Sequence, residues 1–280
     1  MMRMVRRRYG PTFWLTASLS SSATSLRSLA FVSRPSPSII TFTSSSPSSC
    51  RSPPRFMTTA YQGEPGDGTL GLSKLSYSLP FVTTLNDGRK VQVGPFQSHE
   101  WSTGMELMNL IIREGKSWPF DVEFATMEAF RGYFLSHTAF VVRDMDHDST
   151  STGSDNENDC SKAILGCFYI KPNYPGRCSH ICNGGFITAP HARRLGVAKL
   201  MGQVFLQSAK ELGYKSAYFN LVFRSNTASV ALWESLGFQR VAVLENAANL
   251  TGVNGLDTAY GYRFDLETLK DDYLLISRNV

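Results

Sequence analysis

Between Arg193 and Ala198 the chain reads Arg-Arg-Leu-Gly-Val-Ala, preceded by the apolar run Gly185-Phe-Ile-Thr-Ala-Pro190. After it, Val197, Leu200, Met201, Val204 and Phe205 recur at helical spacing, so the order is strand, turn, helix. A helix that starts on such a turn presents backbone N–H groups with no intrahelical partner, at the positive end of its dipole. Gly196 lets a ligand approach the backbone closely, Ala198 obstructs it little, and Arg193 and Arg194 add positive charge. The chemistry open to this turn is anion binding, and a pyrophosphate suits it.

A second string lies downstream. Asn226-Thr-Ala-Ser-Val-Ala-Leu-Trp-Glu-Ser-Leu-Gly-Phe238 reads as a short helix that ends in Leu-Gly-Phe before another strand. One helix, one strand and a turn fit between the two strings. Together they resemble the acyl-CoA signature and the second landmark of the GCN5-related N-acetyltransferases (GNAT). A more specific likeness runs through Gly166-Cys-Phe-Tyr-Ile-Lys-Pro-Asn-Tyr174, Arg177-Cys-Ser-His180, Cys182-Asn183, Gly185-Phe186 and Phe219-Asn-Leu-Val-Phe223. With Gly115-Lys-Ser-Trp-Pro119 and Tyr133-Phe134 it covers residues 106 to 245. These segments resemble the fungal proline-analogue acetyltransferases, which N-acetylate L-azetidine-2-carboxylate and related small cyclic imino acids.

The resemblance implies a single α/β domain, a mixed and mostly antiparallel twisted sheet flanked by helices. It implies acetyl-CoA as co-substrate, no metal, and direct transfer to a small imino acid or amine. The pantetheine arm would lie along Phe186 to Thr188, with the pyrophosphate on Arg193, Arg194, Leu195, Gly196, Val197 and Ala198. Asn183 matches the position that recognises the substrate. Asn220 matches the one that binds it and aligns amine with thioester, the catalytic position. Asn226 matches a contact to the CoA arm or sulfur, and a homodimer is implied as well. An asparagine cannot act as a base, but its amide offers donors and an acceptor in one plane, which suits a carboxylate and a ring N–H. Asn226 has an equal reading as a helix N-cap. One position departs from the wider family: Trp233 stands where many relatives carry the tyrosine that protonates the leaving thiolate, so no general acid is assigned. His137 and His180 are the candidate bases, although such histidines are more often packed or solvent-facing. Other acceptors (a polyamine, another amino acid, a protein N-terminus) and a non-catalytic acetyl-CoA-binding regulatory domain are the alternatives.

These residues need elements to position them. Strand character begins near Leu79-Pro-Phe-Val-Thr-Thr, and Asn86-Asp-Gly88 turns the chain toward Val91-Gln-Val. A helix capped by Ser98 should run through Met105, Leu107, Met108, Leu110 and Ile111 to stop at Gly115, followed by a second over Met127–Leu135. Strands are expected at 138–142, 164–170, 179–188, 216–223, 239–244 and 258–264, with helices over 193–212 and 227–236. Gly213 and Gly237 stand where C-terminal caps belong. Asp144 to Lys162 is acidic and almost free of apolar residues, so it reads as a solvated loop; its spacing does not match a calcium loop. Cys178, His180 and Cys182 alternate and would share one strand face, but Cys-x-His-x-Cys is no familiar zinc spacing and lacks a fourth ligand nearby.

Charge separates the chain into parts. Residues 1–63 hold eight arginines, no lysine and no acidic residue; the whole chain carries +5, which leaves −3 for residues 64–280. The basic excess belongs to the N-terminal segment, so a nucleic-acid partner loses its main support. That segment is Arg- and Ser-rich and broken by Pro35, Pro37, Pro47, Pro53 and Pro54, the pattern of a transit peptide, with a disordered leader without targeting or a secretory signal as alternatives. It predicts a mitochondrial enzyme, with a plastid as alternative, or a cytoplasmic form from a start at Met57. Tyr9 to Leu19 is too short and too interrupted to span a bilayer. Residues 64–75 read as a linker and 76–280 as the catalytic domain. Five cysteines, one of them Cys50, argue against a disulfide framework.

Overall fold

The computed structural model describes residues 63–145 and 163–270. The leader residues up to 62, with Cys50 and Met57, and most of the Asp144–Lys162 segment, expected as a solvated loop, lie outside the described residues. Within them an eight-stranded sheet runs in the order β1-β2-β3-β4-β5-β6-β8-β7. Its strands are β1 (Phe81–Thr84), β2 (Lys90–Pro95), β3 (Thr138–Asp144), β4 (Ile164–Pro172), β5 (Ile181–Thr188), β6 (Ser216–Phe223), β7 (Gln239–Ala248) and β8 (Asp257–Asp265). Every neighbouring pair is antiparallel except β5 and β6. The expected α/β class and mixed sheet are what the structure has.

Among the described residues four α-helices accompany the sheet: α1 (Trp101–Glu114), α2 (Met127–Phe134), α3 (Val197–Glu211) and α4 (Thr227–Ser235). The start of α1 departs from expectation. Ser98 does not cap it; Ser98–Glu100 form a 3-10 turn, and Gln97 and Glu100 make the reciprocal capping box ahead of the helix. Gly115, at φ +62°, ends it as its spacing predicted. α2 is capped by Thr126, whose hydroxyl accepts from Ala129 N at 3.2 Å. α3 starts four residues later than the apolar spacing suggested. The chain first makes a 3-10 turn over Pro190–Ala192, then takes positive φ at Arg194 (68°) and Gly196 (90°).

Alternation along β5 shows which layer covers which face. A Cβ at Gly184 would stand 2.6 Å from the Phe205 ring of α3. At Gly185 it would stand 2.5 Å from Tyr169 and 2.6 Å from Trp118. Successive strand residues point to opposite faces, so α3 covers one face and the 117–134 region the other. This explains why β4 is buried from Ile164 to Lys171, with both faces covered. The alternation also corrects the Cys178/His180/Cys182 reading. Cys178 closes a 3-10 turn and is exposed, His180 precedes the strand, and only Cys182 is buried in β5. Among the described residues no group of three His, Cys, Asp or Glu side chains could hold a metal. Among them, too, no helix is long and apolar enough to cross a membrane.

Residues 64–75, expected as a linker, are docked. Gly63 N donates to Gly132 O (2.9 Å), Gly68 N to Leu135 O (2.9 Å), and Ala139 N to Gly68 O (2.8 Å). Arg131 Nε reaches Gly66 O at 2.8 Å, and Thr69 bridges Thr138. The glycines that suggested flexibility instead allow close approach: a Cβ at Gly66 would sit 2.2 Å from Leu135 O. A chain beginning at Ser76 should therefore unfold at lower denaturant than one beginning at Gly63. At roughly 0.5–1.5 kcal/mol net per hydrogen bond, the loss should be at least about 2 kcal/mol. Equal urea midpoints would show the docking to be energetically idle.

Candidate active site

The parallel pair β5–β6 is short. Ile181 pairs with Ser216 and Cys182 with Ala217, and there the ladder stops. Beyond it the two strands part, each still bonded to its outer neighbour, β4 or β8. The facing edges of Asn183–Phe186 and Phe219–Leu221 thus have backbone groups that no neighbouring strand uses. A cavity of about 420 Å³ opens there.

Aromatic side chains hold the strands apart on the α3 face. The Phe186 ring lies 4.8 Å from that of Trp233, 5.3 Å from Phe205 and 5.7 Å from Phe219. Trp233 is 4.7 Å from Phe219, and a Cβ at Gly202 of α3 would meet Leu236 at 2.5 Å and Trp233 at 3.4 Å. Trp233 is buried and acts as a wedge between the two strands.

The polar groups converge from the other face. On β4, Tyr169 and Lys171 share one side, with Gly185 and Asn183 as their register partners on β5, and Asn173 follows directly after the strand. Asn173 is 3% exposed and forms a reciprocal amide pair with Asn220. Asn220 Nδ2 donates to Asn173 Oδ1 at 2.7 Å, and Asn173 Nδ2 donates back to Asn220 Oδ1 at 3.1 Å. Tyr174 adds a phenol donor to the same Oδ1 at 3.4 Å. A bulge between Phe219 and Val222 places one extra residue in β6 at this point, which re-aims Asn220. Asn183 Oδ1 accepts from Gly184 N at 2.8 Å. Asn226 Oδ1 accepts from Ser229 N at 3.2 Å and so caps α4, while the residue also lines the cavity. The cap and the ligand contact are therefore compatible readings of one side chain.

Of the sequence candidates, Asn183, Phe186, Asn220 and Asn226 line the cavity; Thr188 and Arg193–Ala198 lie beyond it. His137 and His180 are not among the lining residues either. His137 is bonded to Ser136, and burial together with the Lys171 charge holds its pKa below the usual value. Sequence reasoning missed Trp118, Phe120, Tyr133 and Tyr169 as wall, and Asn173 as the partner of Asn220. The signal was present as Tyr-x-Lys-x-Asn, one polar face in a strand otherwise apolar.

At the head of α3 the turn from Arg193 to Ala198 has the geometry of an anion cradle. No side chain caps the helix, Arg194 and Gly196 adopt left-handed conformations, and a Cβ at Gly196 would meet nothing within 4 Å. These residues fit the diphosphate of CoA. Arg193 is engaged elsewhere. Its Nη2 pairs with both oxygens of Glu114, at 2.7 and 2.9 Å, which ties the turn to the end of α1.

Comparison with known proteins decides the family. Residues 108–238 match the acetyltransferase (GNAT) family profile. The N-acetyltransferase aca1 of Schizosaccharomyces pombe is 38% identical over 171 residues, covering 61% of this chain and 82% of that protein. The chain belongs to the GNAT family of acetyltransferases. Among solved structures, a GCN5-related N-acetyltransferase from Kribbella flavida superposes with a TM-score of 0.53 at 23% identity, over 62% of this chain and 97% of its own. The yncA protein of Salmonella typhimurium, solved with its cofactor acetyl-CoA, gives 0.52 at 13% identity, over 64% and 95%. The fold is thus that of the GNAT enzymes, and the chain is an N-acetyltransferase with acetyl-CoA as co-substrate.

For this acetyltransferase, Gly196→Asp should raise the KM for acetyl-CoA at least about tenfold with little change in kcat at saturation. Aspartate tolerates the left-handed backbone better than most residues, so the fold should hold while its charge repels the diphosphate. An unchanged KM in a folded variant would remove the α3 turn from CoA binding.

Proposed function

We propose that the enzyme acetylates a small cyclic imino acid, of the azetidine-2-carboxylate or proline kind, by direct transfer from acetyl-CoA. The observation that carries this reading is the cavity wall. Among the described residues it contains the rings of Trp118, Phe120, Tyr133, Tyr169, Phe186, Phe219 and Trp233, three asparagines, and no Asp, Glu, Lys, Arg or His. A polyamine would enter with several positive charges and find no carboxylate on that wall to receive them, a large desolvation cost. A compact amine with one carboxylate suits an apolar wall with a few amides.

When bound, acetyl-CoA would supply a thioester whose carbonyl carbon takes the amine's lone pair; the C–S bond then breaks, and CoA leaves as a thiolate that takes up, through water, the proton the new amide nitrogen gives up. The chain's own residues do the rest. The aromatic wall disfavours the ammonium form of the acceptor, so the amine sheds its proton to solvent on entry and arrives as a nucleophile. Asn183 holds the acceptor's carboxylate with its amide donors. Asn220, fixed by Asn173 and Tyr174, orients the ring nitrogen. Backbone N–H groups on the unpaired edge of β5 stabilise the negative charge that develops on the carbonyl oxygen. Holding both reactants in line can remove several kcal/mol of the barrier, about 7–11 at the extreme.

The asparagines should separate by kinetics. Asn183→Ala should chiefly raise KM for azetidine-2-carboxylate, while Asn220→Ala should chiefly lower kcat, each costing about 1.5–3 kcal/mol in kcat/KM. Asn173→Ala should lower kcat in the same way as Asn220→Ala, and the double variant should be no worse than either alone, because the two amides act as one unit. Spermidine should be a poor acceptor. Wild-type kinetics in both Asn183→Ala and Asn220→Ala, or a preference for spermidine, would overturn the imino-acid assignment and leave the acetyltransferase intact.

A further inference from the structure

Glu114 is the last residue of α1, and an acidic side chain there stands at the negative end of the helix dipole, where it is disfavoured. Arg193 holds it: Nη2 donates to both carboxylate oxygens, at 2.7 and 2.9 Å. The pair uses one of the three guanidinium nitrogens. Among the described residues Nε and Nη1 of Arg193 have no partner, so both remain as donors for an anion at the α3 turn that this arginine opens.

Helix α1 leads directly into the cavity wall. Gly115 turns the chain at φ +62°, its O accepts from Thr251 N at 2.8 Å, and Ser117, Trp118 and Phe120 then line the cavity. Among the described residues no main-chain group from 116 to 123 makes a hydrogen bond. The stretch is anchored at its ends instead. Gly115 is the front anchor; at the rear Asn109 accepts from Phe124 N at 2.8 Å and donates to Phe124 O at 3.1 Å. Between them the Trp118 ring lies against Gly185 of β5, where a Cβ would stand 2.6 Å from it. A wall with no main-chain bonds of its own takes its position from the end of α1, and that end is tied to the α3 turn.

We propose that Glu114 is a positioning residue: through Arg193 it transmits occupancy of the CoA turn to the acceptor wall at residues 117–120. The inference rests on the α3 turn as the diphosphate site and holds for any acceptor amine. A guanidinium that holds a carboxylate and a diphosphate at once restrains both, so bound CoA pins the last turn of α1 and the wall that follows it. Linkage makes the effect reciprocal: an acceptor that orders the wall favours CoA by the same factor. The Arg193 and Glu114 side chains are 46% and 26% exposed, so the factor is about two- to fivefold, the scale of a surface ion pair.

The test follows wild type and Glu114→Ala with and without CoA, by hydrogen–deuterium exchange and by the fluorine resonance of Trp118 in fluorotryptophan-labelled protein, assigned with Trp118→Phe. Alanine favours the helix and removes an anion from its negative end, so Glu114→Ala should melt no lower than wild type. In wild type, CoA should protect residues 193–200, slow exchange over residues 111–115 about two- to fivefold, and shift the Trp118 resonance. In Glu114→Ala, saturating CoA should still protect residues 193–200, while residues 111–115 and Trp118 no longer respond. A merely structural ion pair would lower the melting temperature of Glu114→Ala and leave the response to CoA intact, a result that overturns the inference. So does a wild type in which CoA protects the turn but alters neither residues 111–115 nor Trp118. A wild type in which CoA leaves residues 193–200 unprotected removes the diphosphate reading of the turn first, and this inference with it.

Discussion

Strands β5 and β6 pair over only two residues because aromatic rings occupy the space a longer ladder would need. Phe186 from β5, Phe219 from β6, Phe205 from α3 and Trp233 from α4 meet with ring centres 4.7–5.7 Å apart. Each such contact contributes about 0.5–1.5 kcal/mol beyond the apolar area it buries. Two backbone hydrogen bonds recovered by closing the strands would contribute about as much each, but closure would require expelling the rings from a packed core. The open arrangement wins. From it follow the unpaired edges, the cavity between them, and the delivery of the chain from the end of β5 onto the turn that begins α3.

The two faces of the splayed strands have separate duties. The α3 face is apolar and keeps the gap open. The opposite face carries Tyr169 and Lys171 on β4, Asn173 just past its end, Asn183 on β5 and, across the gap, Asn220, and it presents polarity without exposing charge. This division accounts for Trp233. Its indole lies on the apolar face and extends the wedge that keeps the strands apart. The thiols of Cys167 and Cys182 are buried, and burial pushes both well above the usual value, so neither is a nucleophile. Among the described residues no histidine or cysteine lines the cavity.

Much of this was legible in the residues. Apolar runs bounded by turn residues located every strand that frames the gap, and Gly115, Gly213 and Gly237 marked helix ends correctly, each with positive φ. Motif spacing located the α3 turn and three of the asparagines. Local signals failed where tertiary contact decides. Residues 64–75 have a linker's composition, yet their glycines are there to approach Leu135 and Ala139. Cys178, His180 and Cys182 alternate in text, but a 3-10 turn removes the first from the strand. Arg193 pairs with Glu114, 79 residues away in sequence, a contact that no local signal announces. The Asn173–Asn220 pair is likewise long-range, across 47 residues, and no pattern within either strand foretells it.

The central claim is that both reactants occupy the gap together and that the acetyl group never rests on the protein. Initial rates measured over a grid of acetyl-CoA and azetidine-2-carboxylate concentrations test it most directly. Transfer within a ternary complex predicts double-reciprocal lines that intersect, and no acetylated protein when the enzyme is incubated with acetyl-CoA alone. Parallel lines, with a stable mass increase of one acetyl group on the protein, would contradict it.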